Sequence, residues 1–236
     1  MAAKSNLKNM VLCLFGTCLF CSAILGGVYA LTKEPIDQTN AKILQDAIGT
    51  VLLRNADNSG IKEGTEIVLD SLGSPKALQV TIEDKVYEYY TQVADGQPVA
   101  YAIKSTVTGF GGPLTLMVGI SADRTLVLNT SVLSHSETPG LGAKCTSDEK
   151  FMSQWNGLEL SKTKLEVQKP VKDGIDAITA STITSKAYTL AVSNALVAFD
   201  QIKNEVLTTP SESQTENLAS DGEESNNNVE QEVENE

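Results

Sequence analysis

Fifteen residues, Asp173 to Ala187 (DGIDAITASTITSKA), gather Thr179, Ser181, Thr182, Thr184 and Ser185 within seven positions. They stand where a polar loop passes into a segment of helical periodicity, predicted as a helix over 185–206. The first backbone N–H groups of a helix have no internal acceptors and its dipole is positive there, so this end suits a phosphate. Hydroxyls add donors, and Ala180 with its small neighbours permits close backbone approach. The same residues would equally serve as an ordinary helix N-cap, a position that favours Ser and Thr. Composition alone leaves both open.

Other candidate groups are few. His135, the single histidine, and Glu137 lie in the loop Ser134 to Ala143. Of four cysteines, Cys13, Cys18 and Cys21 fall in one apolar run and Cys145 is alone beyond it. No disulfide can form within the soluble part, and no Cys/His spacing suits zinc or an iron–sulfur cluster. The three clustered cysteines read either as small apolar residues or as a site shared with a partner. Neither catalytic acid–base residues nor metal ligands are expected.

The elements that must position these groups follow from pattern. Met10 to Leu31 is an uncharged, mainly apolar run of 22 residues. At helical rise it spans about 33 Å, enough for a hydrocarbon core of about 30 Å. Lys4 and Lys8 before it place residues 1–9 on the cytoplasmic side, and Lys33 beyond it weakens that asymmetry. A cleaved signal peptide is the alternative, because Val28-Tyr29-Ala30 suits a cleavage site. At the other end, residues 210–236 hold nine acidic residues and no Lys or Arg. Such a composition predicts disorder. It also carries most of the net charge of −12, leaving about −3 elsewhere. No basic stripe for nucleic acid is present.

Residues 32–209 are the size of one domain. Ile43, Leu44, Ala47, Ile48, Val51 and Leu52 form a helical stripe. Strands are predicted at Val86–Val93 and Val99–Val107, joined by the hairpin signal Asp95-Gly96, then at Leu114–Ile120 and Leu126–Leu133. An amphipathic stretch at Phe151–Trp155, a strand at Leu165–Gln168 ended by Pro170, and the final helix complete the layout. The helix is expected to turn Ala187, Leu190, Ala191, Asn194, Leu196, Ala198, Phe199, Ile202 and Val206 inward. Antiparallel hairpins flanked by helices predict an α+β domain behind a transmembrane helix.

Asp176-Ala177-Ile178-Thr179-Ala180-Ser181-Thr182 resembles the flavinylation motif of the FMN-binding domain family, Asp-x-x-Ser/Thr-Gly-Ala-Thr. Ala180 stands where Gly is common and Ser181 where Ala is common. Two further stretches resemble the family in order. Gly109 to Ile120 (GFGGPLTLMVGI) is similar to its glycine-rich entry into a central strand, and Ser134 to Gly142 (SHSETPGLG) to its Pro-Gly-Leu-Gly loop.

The resemblance implies FMN joined covalently, by a flavin transferase, through its phosphate to Thr182 as a phosphoryl threonine. Thr179, Ser181, Thr184 and Ser185 would line the phosphate end, and Glu137, Thr138, Gly140, Leu141 and Gly142 would approach the flavin. His135 is expected to orient its loop by hydrogen bonding, Glu137 to pin the turn, and Phe151, Trp155 and Cys145 to be core residues. It further implies an electron carrier in the cytoplasmic (inner) membrane, single-pass, with the FMN domain outside. Its partners would be the polytopic and peripheral subunits of an Rnf-type, ferredoxin:NAD ion-translocating complex, and it would not be catalytic alone. The alternatives are the flavin-bearing C subunit of a sodium-pumping NADH:quinone reductase and an anchored assembly protein without flavin.

Overall fold

A computed structural model describes residues 7–53, 65–71, 73–168 and 173–208. The predicted acidic segment 210–236, Lys4 and Pro170 lie outside the described residues.

The helix does not stop with the apolar run at Leu31. Helix α1 extends over Leu7–Ile48, 42 residues, and passes into a π-helical turn at Gly49–Leu53. Sequence reading separates the membrane run from the Ile43–Leu52 stripe, whereas the structure joins them in one helix of about 63 Å. Pro35 lies inside it and removes one donor, the bond otherwise made to the Leu31 carbonyl. It is the one helix among the described residues long and apolar enough to cross a membrane, and its apolar window is wholly exposed. That fits a single-pass anchor.

The domain is a seven-stranded antiparallel sheet between two helical layers. Its strands are β1 (Glu66–Ile67), β2 (Leu78–Ile82), β3 (Lys85–Ala94), β4 (Gln97–Thr108), β5 (Pro113–Ser121), β6 (Leu126–His135) and β7 (Leu158–Glu159). The order is β1-β3-β4-β5-β6-β7, and β2 shares the β3 edge with β1. Asp95-Gly96 makes the β3–β4 turn with both residues at positive φ, as a two-residue hairpin requires. The four predicted strands therefore exist, each extended by one to two residues at most of its ends. The two-residue strands β8 (Val167–Gln168) and β9 (Ile175–Asp176) pair parallel, apart from the main sheet.

β5 is buried on both faces, which explains its near-continuous apolar character. On one face Leu114, Leu116, Val118 and Ile120 join Tyr101, Ile103 and Val127 against helix α3 (Thr182–Thr208). α3 contributes Ala187, Tyr188, Ala191, Val192, Ala195, Leu196, Ala198, Phe199 and Ile202 to that core. Leu190, expected inside, is exposed, because Tyr188, Val192 and Ala195 take the inward arc. On the opposite face Met117, Tyr90, Ala100, Ala102 and Leu128 are covered by Ala47, Ile48, Val51 and Leu52. The end of the long apolar helix and its π-helical turn thus cover the second, smaller of the domain's two core clusters. Helix α2 (Glu149–Met152), capped by Asp148 on the Phe151 N–H, and a 3-10 turn at Ser153–Trp155 bury Phe151 and Trp155 against Tyr188.

Candidate functional site

The start of α3 is built from a short-range network. Ser181 N–H bonds the Ile178 carbonyl at 3.0 Å, closing a four-residue turn with Ala180 at φ 62°. A type II turn wants glycine or asparagine at that place. Ser185 locks the turn from beneath. Its Oγ accepts the Ile178 N–H and donates to the Ser181 carbonyl, both at 2.9 Å, and it is fully buried. Upstream, the Gln154 amide pins Asp176 by accepting its N–H at 2.7 Å and donating to its carbonyl at 3.2 Å. Lys150 pairs with the Asp176 carboxylate at 3.2 Å.

The Pro-Gly-Leu-Gly loop faces this helix end. The Thr138 carbonyl accepts N–H groups from Leu141 and Ala143, which curls the loop into a 3-10 turn at Gly142–Thr146. His135 Nδ1 accepts the Glu137 N–H at 3.2 Å, the loop-orienting role expected of it. Glu137 is 5% exposed, and it pins more than its own turn. One carboxylate oxygen accepts the Phe110 N–H at 2.8 Å and the other accepts the Thr184 hydroxyl at 2.9 Å. It therefore joins the glycine-rich turn, the loop and α3. Glycines make room for it: a Cβ on Gly109 would meet Oε1, and one on Gly142 would meet Oε2 and the Thr184 hydroxyl.

Between these segments lies an open cleft of about 340 Å³, lined by Phe110, Glu137, Thr138, Leu141, Gly142, Ala180, Ser181, Thr182, Ile183 and Thr184. Seven of the ten predicted site residues therefore line one cavity: Glu137, Thr138, Leu141, Gly142, Ser181, Thr182 and Thr184. Thr179, Ser185 and Gly140 do not. Thr179 and Gly140 lie nearby, both exposed, and Ser185 is buried under the turn. Phe110, Ala180 and Ile183 complete the lining; of these the sequence pointed only to Ala180, as a small residue allowing close approach. Phe110 is 67% and Ile183 57% exposed, and both stand on the cleft lining.

The five hydroxyls are not equivalent. Ser185 and Thr184 are buried and hydrogen-bonded, and Ser181 Oγ is buried without a partner. Thr182 is the first residue of α3 and lines the cleft. It is exposed, unlike its buried neighbours Ser181, Thr184 and Ser185. The N-cap reading has Ser181 next to the helix start, but no side-chain cap bond from its Oγ. Near the loop, burial and, secondarily, the Glu137 carboxylate push the Cys145 thiol up to about 11. Burial likewise raises Tyr188, whose hydroxyl bonds that of Thr130. These are core groups, and neither lines the cleft. Among the described residues no His/Cys/Asp/Glu group could hold a metal ion.

A helix start opening on a mainly apolar cleft suits a ligand with a phosphate and a flat ring. Residues 109–197, from the glycine-rich turn into α3, match the FMN-binding domain family. Relatives extend the likeness beyond that region. The chain is 33% identical over 190 residues to the G subunit of the ion-translocating oxidoreductase complex of Vibrio cholerae serotype O1 (strain M66-2), covering 77% of this chain and 85% of that one. It is 28% identical over 189 residues to the G subunit of the proton-translocating ferredoxin:NAD(+) oxidoreductase complex of Clostridium ljungdahlii, covering 80% and 87%. The crystal structure of Shewanella oneidensis NqrC is similar at 17% identity with a TM-score of 0.49, covering 71% of this chain and 99% of that one. The chain belongs to the G-subunit family of ion-translocating oxidoreductase complexes.

Proposed function

We propose that this protein is the electron-carrying subunit of an Rnf-type, ferredoxin:NAD ion-translocating complex, and that its FMN is esterified through the phosphate to Thr182. The observation that carries the site is the place of Thr182, at the first turn of α3 and on the cleft wall. Its neighbours Thr184 and Ser185 are committed to hydrogen bonds within the fold. Esterification joins the Thr182 oxygen to phosphorus and leaves the product one water lighter than threonine plus FMN. A flavin transferase would need an acceptor that opens on the cleft, and Thr182 is one. The phosphate then stands at the positive end of a 27-residue helix.

The flavin, when bound, supplies the electron chemistry. The residues of this chain tether and orient it. Thr182 prevents loss of the group and keeps it at high local concentration. Phe110, Leu141 and Ile183 offer apolar surface at the cleft mouth that excludes water from a ring. The Glu137 bonds fix the two walls against each other.

Residues 10–31 would cross the membrane with residues 1–9 in the cytoplasm and the domain, 32–209, outside, attached to other subunits of the complex. α1 supports this, because the covered face of the sheet leads without interruption into the exposed apolar helix. The quinone-reductase alternative has less support, as the relatives at about 30% identity are named as G subunits of ion-translocating complexes. Co-expression with a flavin transferase tests the proposal. A fluorescent band should survive a denaturing gel and vanish in Thr182→Ala; a non-fluorescent wild-type band contradicts it.

A further inference from the structure

Glu137 is the only ionisable residue among those lining the cleft. The fold keeps it 5% exposed and gives it two neutral donors, the Phe110 N–H and the Thr184 hydroxyl. No ion pair to it exists among the described residues. Glycines at 109 and 142 reserve its space, so the carboxylate is a built feature of the wall. Its influence extends inward, where it adds to burial in raising the Cys145 thiol. A buried charge acts on its neighbours through low-dielectric protein, more strongly than one in water.

We propose that Glu137 sets the reduction potential of the flavin held at Thr182, keeping it low through one negative charge that no cation among the described residues pairs with. This rests on the covalent-FMN reading above. Two electrons and one proton convert the neutral oxidised ring to an anion, so reduction adds one negative charge. A carboxylate in the wall opposes that added charge and favours the oxidised form.

A purely structural role is separable, because glutamine is isosteric here. Its amide oxygen can accept the Phe110 N–H, and its NH2 can donate to the Thr184 hydroxyl, which rotates to accept. Glu137→Gln thus removes the charge and keeps both contacts. Thr184→Val does the reverse, removing one contact and keeping the charge.

The experiment is a spectroelectrochemical titration of the full-length flavinylated protein in detergent, with dithionite as electron donor and water as proton source. Glu137→Gln should raise the midpoint potential. The expected shift is tenfold or more in the oxidised-to-reduced ratio at fixed potential, about 30 mV for a two-electron couple. Its melting temperature should stay near that of the wild type, and Thr184→Val should not raise the potential. Ile183→Lys, at an exposed position of the same cleft, adds a compensating cation and should raise it too. A wild-type potential in Glu137→Gln, or an equal rise in Thr184→Val, overturns the proposal. If Glu137→Gln does not fold, an unchanged potential in Ile183→Lys overturns it instead. In-gel fluorescence of the wild type is read first: its absence overturns this proposal and the covalent reading together. A fluorescent wild type with no shift in Glu137→Gln overturns this one alone.

Discussion

Replacing Ala180 with glycine should make the protein more stable. Ala180 occupies the third position of the turn Ile178–Ser181 at φ 62°, in the left-handed region. There its Cβ crowds the backbone at a cost of roughly 1–2 kcal/mol for an L-residue. Glycine removes that strain, but its freer unfolded chain returns about 0.5–1 kcal/mol. The net gain is then about 0.5–1 kcal/mol, and for a domain of this size roughly 1–4 °C in melting temperature. Trp155 is the only tryptophan and is fully buried, so its fluorescence reports unfolding directly. Urea titration of Ala180→Gly should move the midpoint upward with an unchanged slope, and Ala180→Val should move it down. A neutral or destabilising glycine would refute the reasoning, because it would mean that the turn does not strain alanine.

Three other outcomes are expected. Ser185→Ala leaves the buried Ile178 N–H without its acceptor, and should cost about 1–3 kcal/mol by urea denaturation; a loss under about 0.5 kcal/mol would contradict the lock. Cys145 should resist iodoacetamide at neutral pH until the chain is unfolded. Its raised folded value, about 11 against 9.0, means that its contribution is complete below pH 9 and is lost as pH rises toward 11. Cys145→Ala should flatten that alkaline decline, and an unaltered slope would count against it. Protease added outside cells with a permeable outer layer should remove residues beyond 208 and spare the Lys4 end; a protected C-terminal segment would reverse the proposed topology.

The four long strands were legible because alternation and the Asp95-Gly96 turn are local signals. The stripe from Ala47 to Leu52 was legible as apolar, but its partner was not. Nothing local says that it covers Met117 and Leu128, which are far along the chain. β1, β2 and β7 escaped because two to five residues paired on an edge carry too little periodicity. Leu190 was misplaced since a helix with apolar residues on more than one side does not declare which side packs. At the site, the motif singles out Thr182, whereas the difference between it and its neighbours Ser181, Thr184 and Ser185 lies in burial, which only the folded turn creates. Gln154 had no signal at all. It reaches Asp176 across 22 residues of sequence, through an amide that could as well face solvent.

The most direct test of the central claim is mass spectrometry of a tryptic digest made after full denaturation of the co-expressed protein. Cleavage after Lys172 and Lys186 yields the peptide 173–186, which contains all five hydroxyls of the α3 entry. Covalent attachment predicts that this peptide gains the mass of one FMN less one water, with fragment ions placing the addition on Thr182. An unmodified peptide, or fragments that place the flavin on Thr179, would contradict it.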